Sequence, residues 1–382
     1  MTQALDDIRI LDLTSGIAGP LGVLMLAEHG ADVIKVEPPG GHRGRAQDGS
    51  VVHDRSRRSV TLDLTTPEGV ALFEELCATA DVVVEAFAPG TMAAFGLGHE
   101  ELLSRHPQLV YCSIPAWPEG SRFAKDDGYE ALVHARSGQQ WEQTGFRTGP
   151  MFLHSPVASH GAMLLVPVGI MAALTARRRT GRGQHIEVSL LQGVMSLTTQ
   201  VWNWTDQGSF LMERQHPPGV HQGSIFECAN GEWVHASTMS GVDQTSTEGE
   251  ILGFEHREQY TWLTMTPDEW EAWNSERIAA YKRWDRTELI AAFNAAGLGA
   301  EAIVAPHERF DHPQMVGTGS AVEVVDPDLG PTTQFGVPVF LTATPGAVKG
   351  PRPRAGADND EVLGALGHDA DELAELRGKG VI

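Results

Sequence analysis

The stretch IRILDLTSGIAGPLGVLMLAEHGADVIKV, residues 8–36, decides the fold. It begins with the apolar run Ile8–Leu13, which is typical of a short buried strand. A loop over residues 15–20 follows, and the apolar segment Leu21–His29 then has the length and composition of a helix. Asp32–Val36 is a second run that predicts a strand. A strand, a helix and another strand in such close succession predict a βαβ unit with parallel strands.

Strands and helices continue to alternate after this unit. Thr66 is placed to cap a helix over Glu68–Ala78, and Pro67 suits its first position because the proline ring fixes a helical φ. Such alternation predicts an α/β fold in which helices cover both faces of a parallel sheet. The other predicted strands are Val60–Leu64, Asp81–Ala86, Leu109–Ile114 and Ile186–Leu190, and the other predicted helices are Pro156–Arg179 and Asp358–Leu376.

The distribution of tryptophan indicates a second domain. Seven of the nine tryptophans fall between residues 202 and 284, and a chain of 382 residues is too long for one compact core. We therefore expect a smaller middle domain over residues 223–332 and a large domain built from residues 1–222 and 333–382. The tryptophans either belong to the core of the middle domain or line a pocket for an aromatic acid.

Charge and targeting signals narrow the class of protein. A formal net charge of −22 repels polyanions, so nucleic acid and anionic membranes are poor partners. Arginines at 177–179 and 182 follow an apolar helix and read as its cationic C-terminus. The N-terminus has no apolar signal sequence, and the stretch 161–176 is shorter than the roughly 20 residues that span a bilayer. We expect a cytoplasmic protein.

The three cysteines argue against a metal site and for a reducing compartment. Cys77, Cys112 and Cys228 are far apart and odd in number, and no Cys-x-x-Cys pair occurs. We expect buried free thiols. No other spacing typical of metal ligands is present, so the sequence predicts no metal site.

Three other motifs are ambiguous by pattern alone. The loop Ser15–Pro20 lies between a strand and a helix, where it either presents backbone N–H groups to an anion or makes a simple turn. Ser159 and His160 invite comparison with a Ser/His pair, but adjacent residues point in different directions on a helix. The Asp126-Asp127 pair is either a paired-carboxylate site or part of a solvated loop.

Several segments together resemble one family. Residues 8–14 with Ala18-Gly19-Pro20, and residues 30–40, are similar to the opening of class III CoA-transferases, the family of formyl-CoA transferase, carnitine CoA-transferase and α-methylacyl-CoA racemase. The match continues, in order, over residues 55–64, 80–85, 177–184, 336–338, 344–345, 361–363 and 366–367. It therefore covers nearly the whole chain.

This resemblance implies a fold, an assembly and a reaction. The N- and C-terminal parts would form a Rossmann-like domain, and two subunits would interlock like links of a chain. In active transferases an aspartate attacks the acyl-CoA carbonyl to give an anhydride. CoA thiolate then forms an aspartyl-CoA thioester, and an incoming carboxylate reverses the steps. Acyl-CoA and a carboxylic acid would be the substrates, with no tightly bound cofactor.

The sequence departs from the family at the nucleophile. The resemblance places the aspartate after Pro156-Val157-Ala158, about 21 residues before Thr180–Gln184, and this chain has Ser159 there. A shift of one residue offers only Ala158 or His160. A serine forms an acyl ester, not an anhydride, so we expect the usual cycle to fail.

The CoA contacts implied by the resemblance are partly missing. The loop residues Gly16, Ile17 and Ala18, with the cations Arg55 and Arg57, are the CoA-binding residues that we expect. Elsewhere the polar and cationic residues that often meet CoA are replaced by Ala86, Ala88, Pro38, Thr65 and Ala94. We therefore expect weak binding of CoA phosphates.

The racemase branch uses a histidine shortly before the Ser137-Gly138 step, together with an aspartate. Gly128-Tyr129-Glu130 stands in that region of this chain, and Ser159 replaces the aspartate. The sequence therefore indicates that neither partner of the acid–base pair is present and argues against racemase activity.

Three hypotheses remain. The favoured one is a non-catalytic subunit of a heteromeric CoA-transferase. It is paired with a paralogous catalytic subunit and serves transfer from an acyl-CoA such as succinyl-CoA to an organic acid, with an aromatic acid as one option. The second is a homodimeric enzyme with altered acyl- or proton-transfer chemistry that uses Ser159 or His160. The third is an ordinary transferase whose carboxylate comes from Asp126, Asp127 or Glu130.

Overall fold

The computed structural model of the chain describes residues 2–142, 150–152, 154–197, 224–236, 244–255 and 265–382. The chain divides into two compact units. The first holds residues 1–139, 153–198 and 310–382, and the second holds residues 140–152 and 199–309. The site described below lies in the first unit.

A six-stranded parallel sheet forms the centre of the first unit. The strand order is β3-β2-β1-β4-β5-β6, the doubly wound order of Rossmann folds. This confirms the predicted α/β class, and each strand overlaps a predicted one or starts just before it. The strands are β1 (Arg9–Asp12), β2 (Asp32–Glu37), β3 (Arg58–Thr61), β4 (Val82–Glu85), β5 (Val110–Ser113) and β6 (His185–Glu187).

Two helices of the first unit, at Pro67–Cys77 and Leu190–Ser196, begin at side-chain caps. Thr66 accepts a hydrogen bond from the Gly69 amide, and Pro67 is the first helical residue, as predicted. Ser189 and Gln192 form a reciprocal capping box. The described helices up to residue 196 are α1 (Ala18–Glu28), α2 (Ser50–His53), α3 (Pro67–Cys77), α4 (Thr91–Ala94), α5 (His99–Arg105), α6 (Glu130–Ser137), α7 (Gln139–Glu142), α8 (Val157–Thr180) and α9 (Leu190–Ser196), with a 3₁₀ turn at Arg43–Ala46.

Helix α8 lies against one face of the sheet. By length and composition this helix is apolar enough to cross a membrane. It has 24 residues, so it is longer than the apolar stretch 161–176, which alone is too short to span a bilayer. Its Ala162, Val166 and Ile170 are fully buried in one cluster with Ile10 and Val84 of the sheet. Such burial is the placement of a core helix in an α/β domain.

The C-terminal segment lies against the other face. Asp358 exchanges backbone and side-chain hydrogen bonds with Ser59 of β3, and Asn359 accepts one from the Thr61 amide at 2.8 Å. Val362 and Leu363 join the buried cluster of Leu11 and Phe73. The predicted helix over Asp358–Leu376 is in fact two helices, Asn359–Gly364 and Ala370–Gly378.

A hairpin of β10 (Ala321–Asp326) and β11 (Gly330–Phe335) shifts the domain boundary from the predicted one. We expected residues up to 332 in the middle domain, but residues 310–332 belong to the first unit. The reason is visible in side-chain contacts. Gln334 accepts a hydrogen bond from Arg55 at 2.9 Å, and Arg354 donates to Asp328 at 2.9 Å.

The described part of the second unit contains the antiparallel sheet β7-β8-β9, with its own core around Phe226, Tyr281 and Phe293. Trp273 is buried there, as expected for a core residue, whereas Trp233 is about half exposed. Trp202, Trp204 and Trp262 lie outside the described residues. The described elements of this unit are β7 (Ile225–Glu227), β8 (Trp233–Ala236), β9 (Ala300–Ile303) and helices Gln244–Leu252, Pro267–Tyr281 and Arg286–Ala295. A 3₁₀ turn at Glu308–Asp311 and helix Pro313–Gly317 follow along the chain.

Candidate active site

A cavity of about 550 Å³ lies at the carboxyl ends of β1, β4 and β5. Strands β1 and β4 are neighbours at the point where the strand order reverses, which is where doubly wound sheets bind ligands. The loops after these three strands form much of the wall. The cavity is lined by residues 15–19, 86–89, 114–117 and 124–130, with Ser159 and Leu190.

The loop after β1 depends on two glycines. Gly16 has φ of +82°, a left-handed conformation that side-chain-bearing residues rarely adopt. A Cβ on Gly19 would lie 2.4 Å from the Cβ of Thr14, so only glycine allows this close approach. The expected CoA-binding residues Gly16, Ile17 and Ala18 therefore do line the cavity, although their role toward CoA stays a prediction.

The loop after β4 is fixed by Glu85. Its carboxylate accepts a hydrogen bond from the Phe87 amide at 2.8 Å and another from the Ser113 hydroxyl. Burial raises the pKa of Glu85, while these two donors and the nearby His99 oppose the rise. Ala86 and Ala88, predicted to replace polar residues of the family, line the cavity here together with Phe87.

Ser159 meets a carboxylate at the start of α8. Its hydroxyl donates to Glu130 Oε2 at 2.6 Å, and its backbone N–H donates to the same oxygen at 3.1 Å. The Ala158 N–H donates to Glu130 Oε1 at 2.6 Å. A carboxylate that accepts amide hydrogens at a helix N-terminus acts as a cap and is favoured by the helix dipole. Glu130 therefore caps α8 from the first residue of α6.

His134 completes this cluster. Its Nε2 lies 2.8 Å from Glu130 Oε1, one helical turn along α6, and its side chain is buried. The sequence reasoning missed His134, although the spacing of four residues from Glu130 on one helix is a readable signal. The hydrogen bond of the Ser159 hydroxyl goes to Glu130, and Glu130 in turn lies beside His134, so the serine proton is donated to a carboxylate.

The other candidates from the sequence have separate surroundings. Asp126 pairs with Arg136 at 2.8 Å, and Asp126 and Asp127 both line the cavity. His160 follows Ser159 on α8, but its ring is not among the cavity lining. Of the three carboxylates considered as replacements, Glu130 is the one that hydrogen-bonds to Ser159.

The sequence predicts that Arg55 and Arg57 contact CoA phosphates. In the structure both side chains form ion pairs with buried carboxylates. Arg55 Nε donates to Glu28 at 2.7 Å, and the side chain is almost fully buried. Arg57 pairs with Asp12 and also donates to the carbonyls of Pro20 and His53. Neither guanidinium faces the cavity, because each already has carboxylate partners from neighbouring elements.

The cavity wall is acidic. Its ionisable groups are Lys125 against Asp126, Asp127 and Glu130. An excess of carboxylates repels phosphates and free carboxylates, which agrees with the expected weak binding of CoA. Among the described residues, one group outside the cavity has metal-binding side chains: His99, Glu119 and His185 lie together despite their distance in sequence.

Comparisons with known proteins give a consistent result. The family model described as "CoA-transferase family III" matches residues 5–359. The chain is 30% identical to Succinyl-CoA--D-citramalate CoA-transferase of Chloroflexus aurantiacus, over 100% of this chain and 98% of the relative. It is 31% identical to Succinate--glutarate CoA-transferase of Agrobacterium fabrum, over 95% of each.

Solved structures agree with this result. A CAIB/BAIF family protein from Brucella suis has a TM-score of 0.80 and 25% identity, covering 96% of this chain and 100% of its own. Rv3272 from Mycobacterium tuberculosis has a TM-score of 0.78 and 26% identity, covering 95% and 99%.

Proposed function

Because this chain belongs to CoA-transferase family III, we propose that it serves CoA transfer between an acyl-CoA and a carboxylic acid as a subunit without its own nucleophile. A paralogous subunit that keeps the aspartate would supply the reacting carboxylate. Relatives named for succinyl-CoA and succinate support succinyl-CoA as the donor. The three described cysteines are free and buried, which suits the cytoplasm as the proposed location.

One observation carries the proposal: the hydrogen bond from the Ser159 hydroxyl to Glu130. The family resemblance places Ser159 where the nucleophilic aspartate is expected, and the hydroxyl proton of Ser159 is donated to a carboxylate. A carboxylate is a weak base for a serine hydroxyl. An acyl-serine ester would also lack the activation of an anhydride, so it would return the acyl group to CoA slowly.

The proposed partner explains how the fold persists without the nucleophile. If the subunits interlock, the interface is large, and each chain then stabilises the folded state of the other. Loss of one nucleophile would leave that assembly intact. The acidic cavity also supports a catalytic role for the partner subunit, because CoA phosphates would bind better in a partner site with more cations.

The test uses purified chain alone and chain co-expressed with a paralogue that has the aspartate. We expect negligible transfer from succinyl-CoA by the chain alone and a stable mixed complex with activity. In that complex Ser159→Ala should leave activity within about twofold, whereas replacing the partner's aspartate should abolish it. Ser155→Ala, at an exposed serine of the same segment, is the matched control. Failure to form a mixed complex overturns the proposal.

A second candidate is transfer through Glu130, because this carboxylate lies in the cavity wall. One oxygen would attack the thioester carbonyl, which forms an anhydride and releases CoA thiolate. The thiolate would then attack the glutamyl carbonyl, which gives a glutamyl thioester and releases the acyl group as a carboxylate. Four contacts with Ala158, Ser159 and His134 make Glu130 a poor nucleophile, so we place this candidate second.

Chemical trapping separates the candidates. Hydroxylamine or borohydride added to the chain with succinyl-CoA would modify Glu130 only if the second candidate is correct. A trapped glutamyl thioester that disappears in Glu130→Gln would replace our first proposal with the second. Loss of activity of a homodimer in Ser159→Ala or His160→Ala would instead establish altered serine or histidine chemistry.

A further inference from the structure

We propose that His99, Glu119 and His185 bind one divalent transition-metal ion of the Zn²⁺ type. One ring nitrogen of each histidine and one carboxylate oxygen of Glu119 lie within 4.8 Å of one another. The three residues come from different elements, since His99 begins α5, His185 begins β6, and Glu119 lies in the loop between β5 and α6. The group is separate from the cavity lining.

The donor set suits this class of ion. Imidazole nitrogen and carboxylate oxygen are the usual ligands of Zn²⁺, and related ions such as Co²⁺ and Ni²⁺ accept the same set. Metal–ligand distances near 2 Å place ligand atoms roughly 3 to 4 Å apart, so the group must contract by about 1 Å. Three protein ligands leave a fourth position for water.

A hydrogen bond orients His185 for this role. His185 Nε2 lies 3.1 Å from the hydroxyl oxygen of Ser113. In the tautomer that donates Nε2–H to this oxygen, Nδ1 carries the lone pair that a metal needs. Such an outer partner commonly fixes the tautomer of a metal-binding histidine.

His99 is the ligand that must move. Its ring stacks on that of His185 with centroids 3.9 Å apart and planes within 4°. The lone pairs of two parallel rings do not converge on one ion, so coordination requires the His99 ring to turn. The stack with His185 and an edge contact with Tyr111 are its ring contacts among the described residues. Rotation therefore breaks no hydrogen bond.

A bound metal ion would restrain the segment between β5 and α6, which forms one wall of the cavity. Glu119 belongs to the segment between β5 and α6, whose residues 114–117 and 124–130 line the cavity. Coordination would tie this segment to the edge strand β6 and to α5. An ion that binds the folded chain in this way also stabilises it by mass action.

The first experiment titrates metal-free full-length protein with ZnCl₂ by calorimetry and with CoCl₂ by visible absorption. We expect one ion per chain with a Kd of about 10 μM or tighter. His99→Gln and His185→Gln should each weaken binding at least tenfold, as expected for loss of one of three ligands. His106→Gln is the matched control, because that histidine pairs with Glu74 at a helix end. Circular dichroism and thermal unfolding establish that each variant is folded.

Binding that is absent, or unchanged in both His99→Gln and His185→Gln, overturns the site. A second readout is limited proteolysis within residues 118–128. Zn²⁺ should slow cleavage there in the parent protein and not in His185→Gln. Equal cleavage with and without Zn²⁺ in the parent protein would overturn the inferred link between the metal and the cavity wall.

Discussion

The ammonium group of Lys35 lies 3.2 Å from the carboxylate of Asp54, and neither side chain is more than 2% exposed. Lys35 also lies 3.3 Å from Asp12 and donates to the carbonyl of Thr14. Arg57 supplies a second cation to Asp12. Two buried carboxylates and two buried cations thus hold the strand end before the cavity loop.

Replacing Lys35 by methionine should destabilise the protein strongly. Methionine keeps the length of the side chain but leaves Asp12 and Asp54 with one cation in a buried site. We expect a loss of about 3 to 5 kcal/mol in the free energy of unfolding, measured by urea titration. Arg105→Met, at a partly exposed ion pair with Glu74, should cost no more than about 1 kcal/mol. Equal effects of the two substitutions would contradict this account.

The same cluster predicts acid sensitivity. Burial opposes ionisation of Asp54, but Lys35, His42 and Arg57 outweigh it and hold the pKa well below the ordinary 3.8. The pKa of Glu37 is lowered too, because its contact with Arg45 outweighs the effect of burial. A lowered pKa in the folded state contributes stability above the ordinary pKa and loses it as the pH falls further.

Urea unfolding between neutral pH and about pH 3 tests this effect. The free energy of unfolding should decrease below about pH 4, and Asp54→Asn should flatten the decrease by about 1 kcal/mol at pH 3. Asp48→Asn, at an exposed aspartate, is a suitable control. A parent and an Asp54→Asn variant with parallel pH profiles would show that Asp54 does not contribute.

Removing the Glu130 cap should weaken α8. Glu130→Ala leaves the N–H groups of Ala158 and Ser159 without their acceptor, so we expect a cost of about 1 to 3 kcal/mol. Ser159→Ala removes one hydrogen bond and should cost about 1 kcal/mol. Hydrogen exchange of the first turn of α8 locates the effect. Unchanged exchange in Glu130→Ala would mean that water replaces the cap without loss.

Gly161→Ala should separate α8 from α9. A Cβ on Gly161 would lie 2.0 Å from the carbonyl oxygen of Gly193, and one on Gly193 would lie 2.2 Å from that of Ala158. A backbone carbonyl cannot move aside as a flexible side chain can. We therefore expect a loss of about 3 kcal/mol or more in the free energy of unfolding. Gly364→Ala, in a helix with open space around the added methyl, should be neutral or stabilising. Thermal unfolding of the two variants distinguishes crowding from helix propensity.

Much of the fold was predictable because local signals were strong. Apolar runs of four to six residues marked the strands, and Thr66-Pro67 marked the start of a helix. The two helices within Asp358–Leu376 were merged, because the break at residues 365–369 depends on a glycine turn at Gly367 with φ of +112°. The sequence pattern gives no sign of that conformation.

The site was less predictable because its contacts join distant segments. Glu130 and Ser159 are 29 residues apart, and their bond depends on the path of the chain between α6 and α8. Arg55 and Arg57 resembled surface cations, since nothing local shows that Glu28 and Asp12 lie beside them. His99 and His185 belong to separate elements, so no spacing of ligands in the sequence revealed them.

The hydrogen bonds between Ser59 and Asp358 join residues 299 positions apart. During synthesis, β3 is made long before the helix Asn359–Gly364 that covers it. Until that helix is made, this edge strand has one uncovered side and unpaired backbone groups, a state that favours association with other chains. Closing so long a segment is also entropically costly and slow. Nascent chains should therefore depend on chaperones until this helix has been made and has packed on β3.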